Sequence, residues 1–78
     1  MNFAFSNVEY STRAFDDAKA GCAGLELFGT VGGQTIHIGK ITFWDAMGRF
    51  VIELKADEIP LEVVERFIAQ AKAAIPTG

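Results

Sequence analysis

The stretch that decides the fold runs from Gly24 to Lys55 and reads GLELFGTVGGQTIHIGKITFWDAMGRFVIELK. Apolar and polar residues alternate along its three segments, and a period of two residues is typical of strands. Gly32-Gly33 separates the first two segments, and two glycines readily adopt the positive φ that a tight hairpin requires. Residues 45–48 begin with Asp and end with Gly, as type I turns prefer. The pattern predicts an antiparallel meander with strands at 24–31, 34–44 and 49–55.

The middle strand of this meander carries its apolar residues on two parities. Ile36 and Ile38 fall on one parity, whereas Ile41 and Phe43 fall on the other. Gly39 lies between the two pairs. We expect a β-bulge there, because one extra residue brings both pairs to the same side of the sheet.

The segment before the meander predicts a strand over residues 2–10. Phe3 and Phe5 share one parity and Val8 and Tyr10 share the other, so a bulge or twist near residues 6–7 is needed to bury all four. We leave the pairing of this strand open between three positions. It would lie beside 49–55, beside 24–31, or on a partner chain.

A short helix is predicted over residues 12–20. Ser11 and Thr12 offer N-cap oxygens, and the early Asp16-Asp17 pair suits the positive end of a helix dipole. Gly21 is placed to end the helix in a left-handed conformation. The alternative is an irregular loop held in place by Phe15.

A second helix is predicted over residues 60–75, with Pro60 at its first position. Its apolar residues fall on one arc, which we expect to face the sheet. They are Leu61, Val64, Phe67, Ile68, Ala71 and Ile75. The whole chain is then one α+β domain, a two-layer sandwich with this helix packed on one face of an antiparallel sheet.

Composition points to an interaction surface. Half of the 78 residues are hydrophobic and seven are Phe, which is more apolar material than one small core hides. Excess apolar surface marks interfaces between proteins, so we expect a protein partner or a homodimer.

The charge balance argues against nucleic acid as a partner. The net charge is −3, and the seven Lys and Arg residues are never adjacent, whereas phosphate binding requires a basic patch. Three strands followed by a helix resemble the element order of double-stranded RNA-binding domains. The helix start that must be basic in such a domain reads PLEVVE over 60–65 and is acidic, so the resemblance implies no RNA binding here.

The residues that carry chemistry are few. His37 and Cys22 are the single histidine and cysteine, and the acidic pairs 16–17 and 57–58 suit helix starts. We therefore predict no catalytic residues, no metal and no cofactor. One cysteine forms no intramolecular disulfide, and the first ten residues lack the pattern of a signal peptide. No apolar stretch is long enough to cross a membrane, so a cytoplasmic protein is expected.

Four residues have the parity opposite to the predicted core. Phe28, His37, Trp44 and Val51 would form a semi-apolar patch on the sheet face that the helix leaves open. The leading hypothesis is a non-enzymatic interaction or regulatory module of inhibitor or immunity type, acting through this face or an edge strand. Two alternatives are a small-molecule pocket near Cys22, His37 and Trp44, between the sheet and the 13–20 helix, and a nucleic-acid-binding module.

Overall fold

The computed structural model describes residues 2–55 and 58–75. Within them the chain forms one five-stranded antiparallel sheet and one helix. The elements are β1 Asn2–Phe5, β2 Val8–Asp17, β3 Cys22–Val31, β4 Gln34–Trp44, β5 Arg49–Leu54 and α1 Leu61–Ala74. The strands lie side by side in chain order, and α1 packs on one face of the sheet. The α+β prediction is confirmed. The helix-start charge predicted at Asp57 lies outside the described residues.

The helix predicted over 12–20 is wrong, because these residues form the second half of β2 and a turn. Strand β2 pairs with β3 over nine residue pairs, from Glu9↔Thr30 to Asp17↔Cys22. This pairing outweighs the weak helix propensity of the segment. Asp17, expected near the start of that helix, closes a hairpin instead: its carboxylate oxygen accepts the Ala20 N–H at 3.1 Å. Gly21 is left-handed as expected, with φ +72°, but it ends the turn.

Residues 2–10 form two strands joined by a turn at Ser6-Asn7, and not the single strand predicted. Both turn residues have positive φ, 49° and 68°, as a two-residue type I′ hairpin requires. The hairpin resolves the parity conflict, since Phe3 now lies opposite Tyr10 with their rings stacked at 5.4 Å. Of the three pairing positions left open, the one beside residues 24–31 is realised. Strand β2 pairs with β3, and β1 pairs with the other side of β2.

This turn offers a test of the first hairpin. Serine in the left-handed region costs on the order of 1 kcal/mol, whereas Asn-Gly is the preferred type I′ pair. The double variant Ser6→Asn/Asn7→Gly is expected to raise the free energy of unfolding by about 1 kcal/mol in urea denaturation. Asn7→Val serves as the control and should lower it, because a β-branched residue tolerates positive φ poorly. Equal urea midpoints for the double variant and Asn7→Val would contradict the type I′ turn.

The bulge expected at Gly39 is confirmed one residue earlier in the same stretch. The β3–β4 register moves from Leu27↔Gly39 to Phe28↔His37, which leaves Ile38 as the extra residue. Ile38, Ile41 and Phe43 are all buried in the same core. The bulge therefore brings both parities of β4 to the helix-covered face.

The core lies between α1 and the covered face of the sheet. Its buried residues are Tyr10, Leu25, Leu27, Ile38, Ile41, Phe43, Val63, Phe67, Ala71 and Ile75. The helix meets the sheet along an i,i+4 line that begins at Val63, which is fully buried, whereas Leu61 is 72% exposed. The predicted arc was wrong at Leu61. As a result Leu61 and the half-buried Val64 and Ile68 widen the apolar arc of α1 beyond its buried line.

Candidate functional site

The four predicted surface residues share the sheet face opposite α1. Phe28 lies opposite His37, Trp44 lies opposite Cys22, and Val51 lies opposite Thr42. On β3 and β5 their parity is opposite to that of the core-facing residues. On β4 the bulge at Ile38 brings His37 and Trp44 to the same face although their parities differ. A binding role for these residues stays a prediction.

At one end of this open face, Phe28 and His37 belong to an internal cluster. Their ring centroids are 5.1 Å apart, and the Arg13 guanidinium lies over the Phe28 ring at 5.3 Å. Arg13 also donates to the Glu26 carboxylate from Nη2 at 2.9 Å and from Nε at 3.2 Å. Four side chains from three strands thus hold one another in place.

The imidazole of His37 is fixed by packing. Its Nε2 is buried and has no hydrogen-bond partner within the described residues. The Glu26 Oε1 atom lies 3.6 Å away, and the other oxygen of this carboxylate is bound by Arg13. The arrangement positions an imidazole beside a carboxylate but leaves both half-buried in the sheet surface.

Cys22, His37 and Trp44 do not line one pocket. Cys22 is six residues along β3 from Phe28, the partner of His37, which at strand rise corresponds to about 20 Å. The second wall expected of that pocket, a helix over 13–20, is strand and turn. Cys22 is a buried free thiol opposite Trp44.

A row of charges divides the open face. It crosses the sheet in register as Arg13, Glu26, Lys40 and Glu53, on β2, β3, β4 and β5. We call it the charged row. It separates the Phe28–His37 end of the face from the Trp44–Val51 end, so the four predicted residues form two patches.

Phe15 is a residue of this face that the sequence analysis assigned to a helix. It lies opposite Gly24, and a Cβ added there would lie 2.3 Å from the Phe15 Cζ. The ring therefore occupies the space above a glycine. An aromatic residue in register with a strand glycine is the sequence signal for this arrangement.

The most exposed apolar side chains on a strand edge belong to β5. Val51, Ile52 and Leu54 are 43%, 42% and 43% exposed. Strand β5 is last in the sheet, and on its outer side no described strand pairs with it. We call this outer side, with its backbone groups and exposed side chains, the β5 edge.

The register shows which amides the β5 edge presents. The Lys55 N–H donates to the Ile38 carbonyl at 2.7 Å, next to the Gly39↔Leu54 pair. In an antiparallel ladder, backbone groups of alternate residues point to the same neighbour. The amides of residues 51 and 53 therefore point toward β4, whereas those of Phe50, Ile52 and Leu54 point outward.

An apolar groove adjoins the β5 edge where α1 stops covering the sheet. It encloses about 150 Å³. It is lined by Ile41, Phe50, Val51, Ile52, Ile68, Ala71 and Lys72. Leu61 lies two helical turns before Ile68 on the same side of α1. The β5 edge and this side of the helix thus present neighbouring apolar surface.

No known protein family, curated protein or solved structure matches the chain significantly. Within residues 2–55 and 58–75, no three His, Cys, Asp or Glu side chains are grouped to hold a metal ion. The described helix is too short to cross a membrane.

Proposed function

We propose that this protein is a small cytoplasmic interaction module, of regulatory, inhibitor or immunity type, that acts by binding and not by catalysis. Its recognition element is the β5 edge, and its partner is another protein or a second copy of the chain. The observation that carries the proposal is the exposure of Val51, Ile52 and Leu54 beside a row of outward amides. Such an edge accepts an additional strand.

The two edges of the sheet differ in how well they are protected. Proteins shield edge strands by making them short or by adding charges and proline. Strand β1 has four residues, which protects that edge. Strand β5 has six residues and no proline, and it carries Arg49 and Glu53, yet it exposes apolar side chains on both faces of the sheet. The apolar exposure of this longer edge is consistent with a binding role for β5.

The predicted open-face patch contributes to the proposal through its Trp44–Val51 end. Val51 belongs to both the open face and the β5 edge, and Trp44 lies opposite Arg49, the first residue of β5. Phe28 and His37 are instead engaged with Arg13 and Glu26. A partner strand at β5 would therefore reach Val51 and Trp44 but not the Phe28–His37 end of the open face.

The test compares two isoleucines. Ile52→Lys places a charge in the β5 edge, whereas Ile36→Lys places the same charge at a similarly exposed site on β4. Self-association is measured by sedimentation, and binding of other chains by selection from a displayed library of extended peptides. We expect Ile52→Lys to abolish the association that the wild type shows and Ile36→Lys to retain it. A wild type without either association, or equal loss in both variants, would overturn the proposal.

A further inference from the structure

We infer that the partner at the β5 edge is a second copy of this chain, paired antiparallel through β5 with a two-fold axis at Val51. The inference rests on the proposed function, because it names the partner of the same edge. It joins two five-stranded sheets into one continuous sheet of ten strands. Three observations carry it: the outward amides, the charged row and the apolar groove.

The outward amides permit this pairing. With the axis at Val51, Phe50 of one copy lies opposite Ile52 of the other, and the same pair recurs across the axis. Phe50 and Ile52 are residues whose backbone groups point away from β4, so each pair exchanges two N–H···O bonds. Leu54 lies opposite Gly48, a turn residue with φ +61°, and stays outside the ladder.

The charges select the axis. Across the sheet the charged row alternates in sign from Arg13 to Glu53. With the axis at Val51, the next residue in the row is Arg49 of the second copy, so the alternation continues. By symmetry the Arg49–Glu53 pair forms twice, and opposite charges that face each other across strands stabilise their pairing.

Neighbouring registers lose this complementarity. An axis at Ile52 places Arg49 opposite Lys55, two like charges, and Val51 opposite Glu53. An axis at Glu53 places that carboxylate opposite its own copy. An axis at Leu54 pairs Glu53 with Lys55 but places residues 50 and 49 opposite residues 58 and 59, which are not part of a strand.

The apolar side of the junction also fits a second copy. Phe50 and Ile52 lie on the helix-covered face, where both line the groove beside α1. With the axis at Val51, the Ile52 side chain of each copy comes next to Phe50 of the other, at the open side of that groove. The 42% exposed Ile52 is thereby covered by an apolar neighbour on each side of the axis.

Charge reversal in two separate variants tests the register. Arg49→Glu alone places two acidic residues opposite each other at both pairs, and Glu53→Arg alone places two basic ones. Each variant is expected to dimerise about tenfold more weakly than the wild type in sedimentation equilibrium. Mixed together they should form a heterodimer, since the acidic positions of one then face the basic positions of the other. Lys55→Glu is the matched control and should dimerise like the wild type.

Amide hydrogen exchange gives an independent readout. On dimerisation, the amides of Phe50 and Ile52 should gain protection while that of Leu54 does not. Protection of all three indicates the axis at Ile52 and overturns the register. A wild-type dimer that tolerates both charge reversals overturns the inference as well. A monomer that still selects peptides at Ile52 overturns the inference and leaves the proposed function standing, whereas a monomer that selects none removes both.

Discussion

Replacing Phe67 by alanine is expected to lower the free energy of unfolding by about 3–5 kcal/mol. The side chain is fully buried at the centre of the line along which α1 meets the sheet. Its removal leaves a cavity beside Val63 and Ala71, which are also fully buried. Because small domains have about 5–15 kcal/mol of stability in total, this loss is a large fraction of it. Urea denaturation with an unchanged slope measures the effect.

Two further variants keep this prediction falsifiable. Lys72→Ala, at an exposed position on the same helix, should change the free energy of unfolding by no more than about 0.5 kcal/mol. If Phe67→Ala fails to fold, Phe67→Leu should remain folded and lose less free energy of unfolding, since its cavity is smaller. Equal effects of Phe67→Ala and Lys72→Ala would show that α1 packs with a different phase.

Gly39→Ala is expected to destabilise the sheet by about 1–3 kcal/mol, the usual cost of overpacking. A Cβ at Gly39 would lie 2.3 Å from the Glu53 carbonyl oxygen and 3.0 Å from Leu54 Cδ2. The first of these is backbone, so β4 and β5 must separate to make room. We expect the amides of β5 to exchange faster in this variant, in addition to a lower urea midpoint.

The control is Gly29→Ala, the same change on the neighbouring strand. There the new Cβ would meet Ile38 Cδ1 at 2.8 Å, the far end of a flexible side chain that can move aside. Gly29→Ala should therefore lower the free energy of unfolding less than Gly39→Ala does and leave the hydrogen exchange of the β5 amides unaltered. The reverse order of the two costs would contradict the proposed tight contact between β4 and β5.

The meander and its bulge were predictable because their signals are local and agree with one another. Gly32-Gly33 and the 45–48 segment mark the turns, and Gly39 marks the point where the apolar parity changes. The structure has turns at 32–33 and 45–48 and its extra residue at Ile38. Each of these features is decided by residues within one hairpin.

The N-terminal segment was not predictable in the same way. A carboxylate followed by a left-handed glycine suits a helix start and end, but it equally suits a hairpin loop. Asp17 and Gly21 serve the loop, and the choice is made by the pairing of β2 with β3, which no local signal reports. The two-residue turn at Ser6-Asn7 was hidden for a related reason, since it lacks the glycine that usually marks such turns.

The candidate surfaces were likewise predictable only where the signal is local in the sequence. Parity together with the expected bulge predicted one face for Phe28, His37, Trp44 and Val51, and the register places their positions on the face opposite α1. The charged row that separates them was missed, because Arg13 belonged to a predicted helix and its register with Glu26 requires β2 to be a strand. The β5 edge became visible only when the first two strands were placed at the opposite side of the sheet.

The order of the strands has a consequence for the kinetics of folding. Each described strand pairs only with its neighbours in the chain, so none of these pairings requires the closure of a long loop. Proteins dominated by contacts that are local in sequence fold faster than those that join distant segments. β-Hairpins in general form in about 1–10 μs. We therefore expect this sheet to assemble hairpin by hairpin and to refold rapidly for a β-rich domain, with the C-terminal helix closing the core over it.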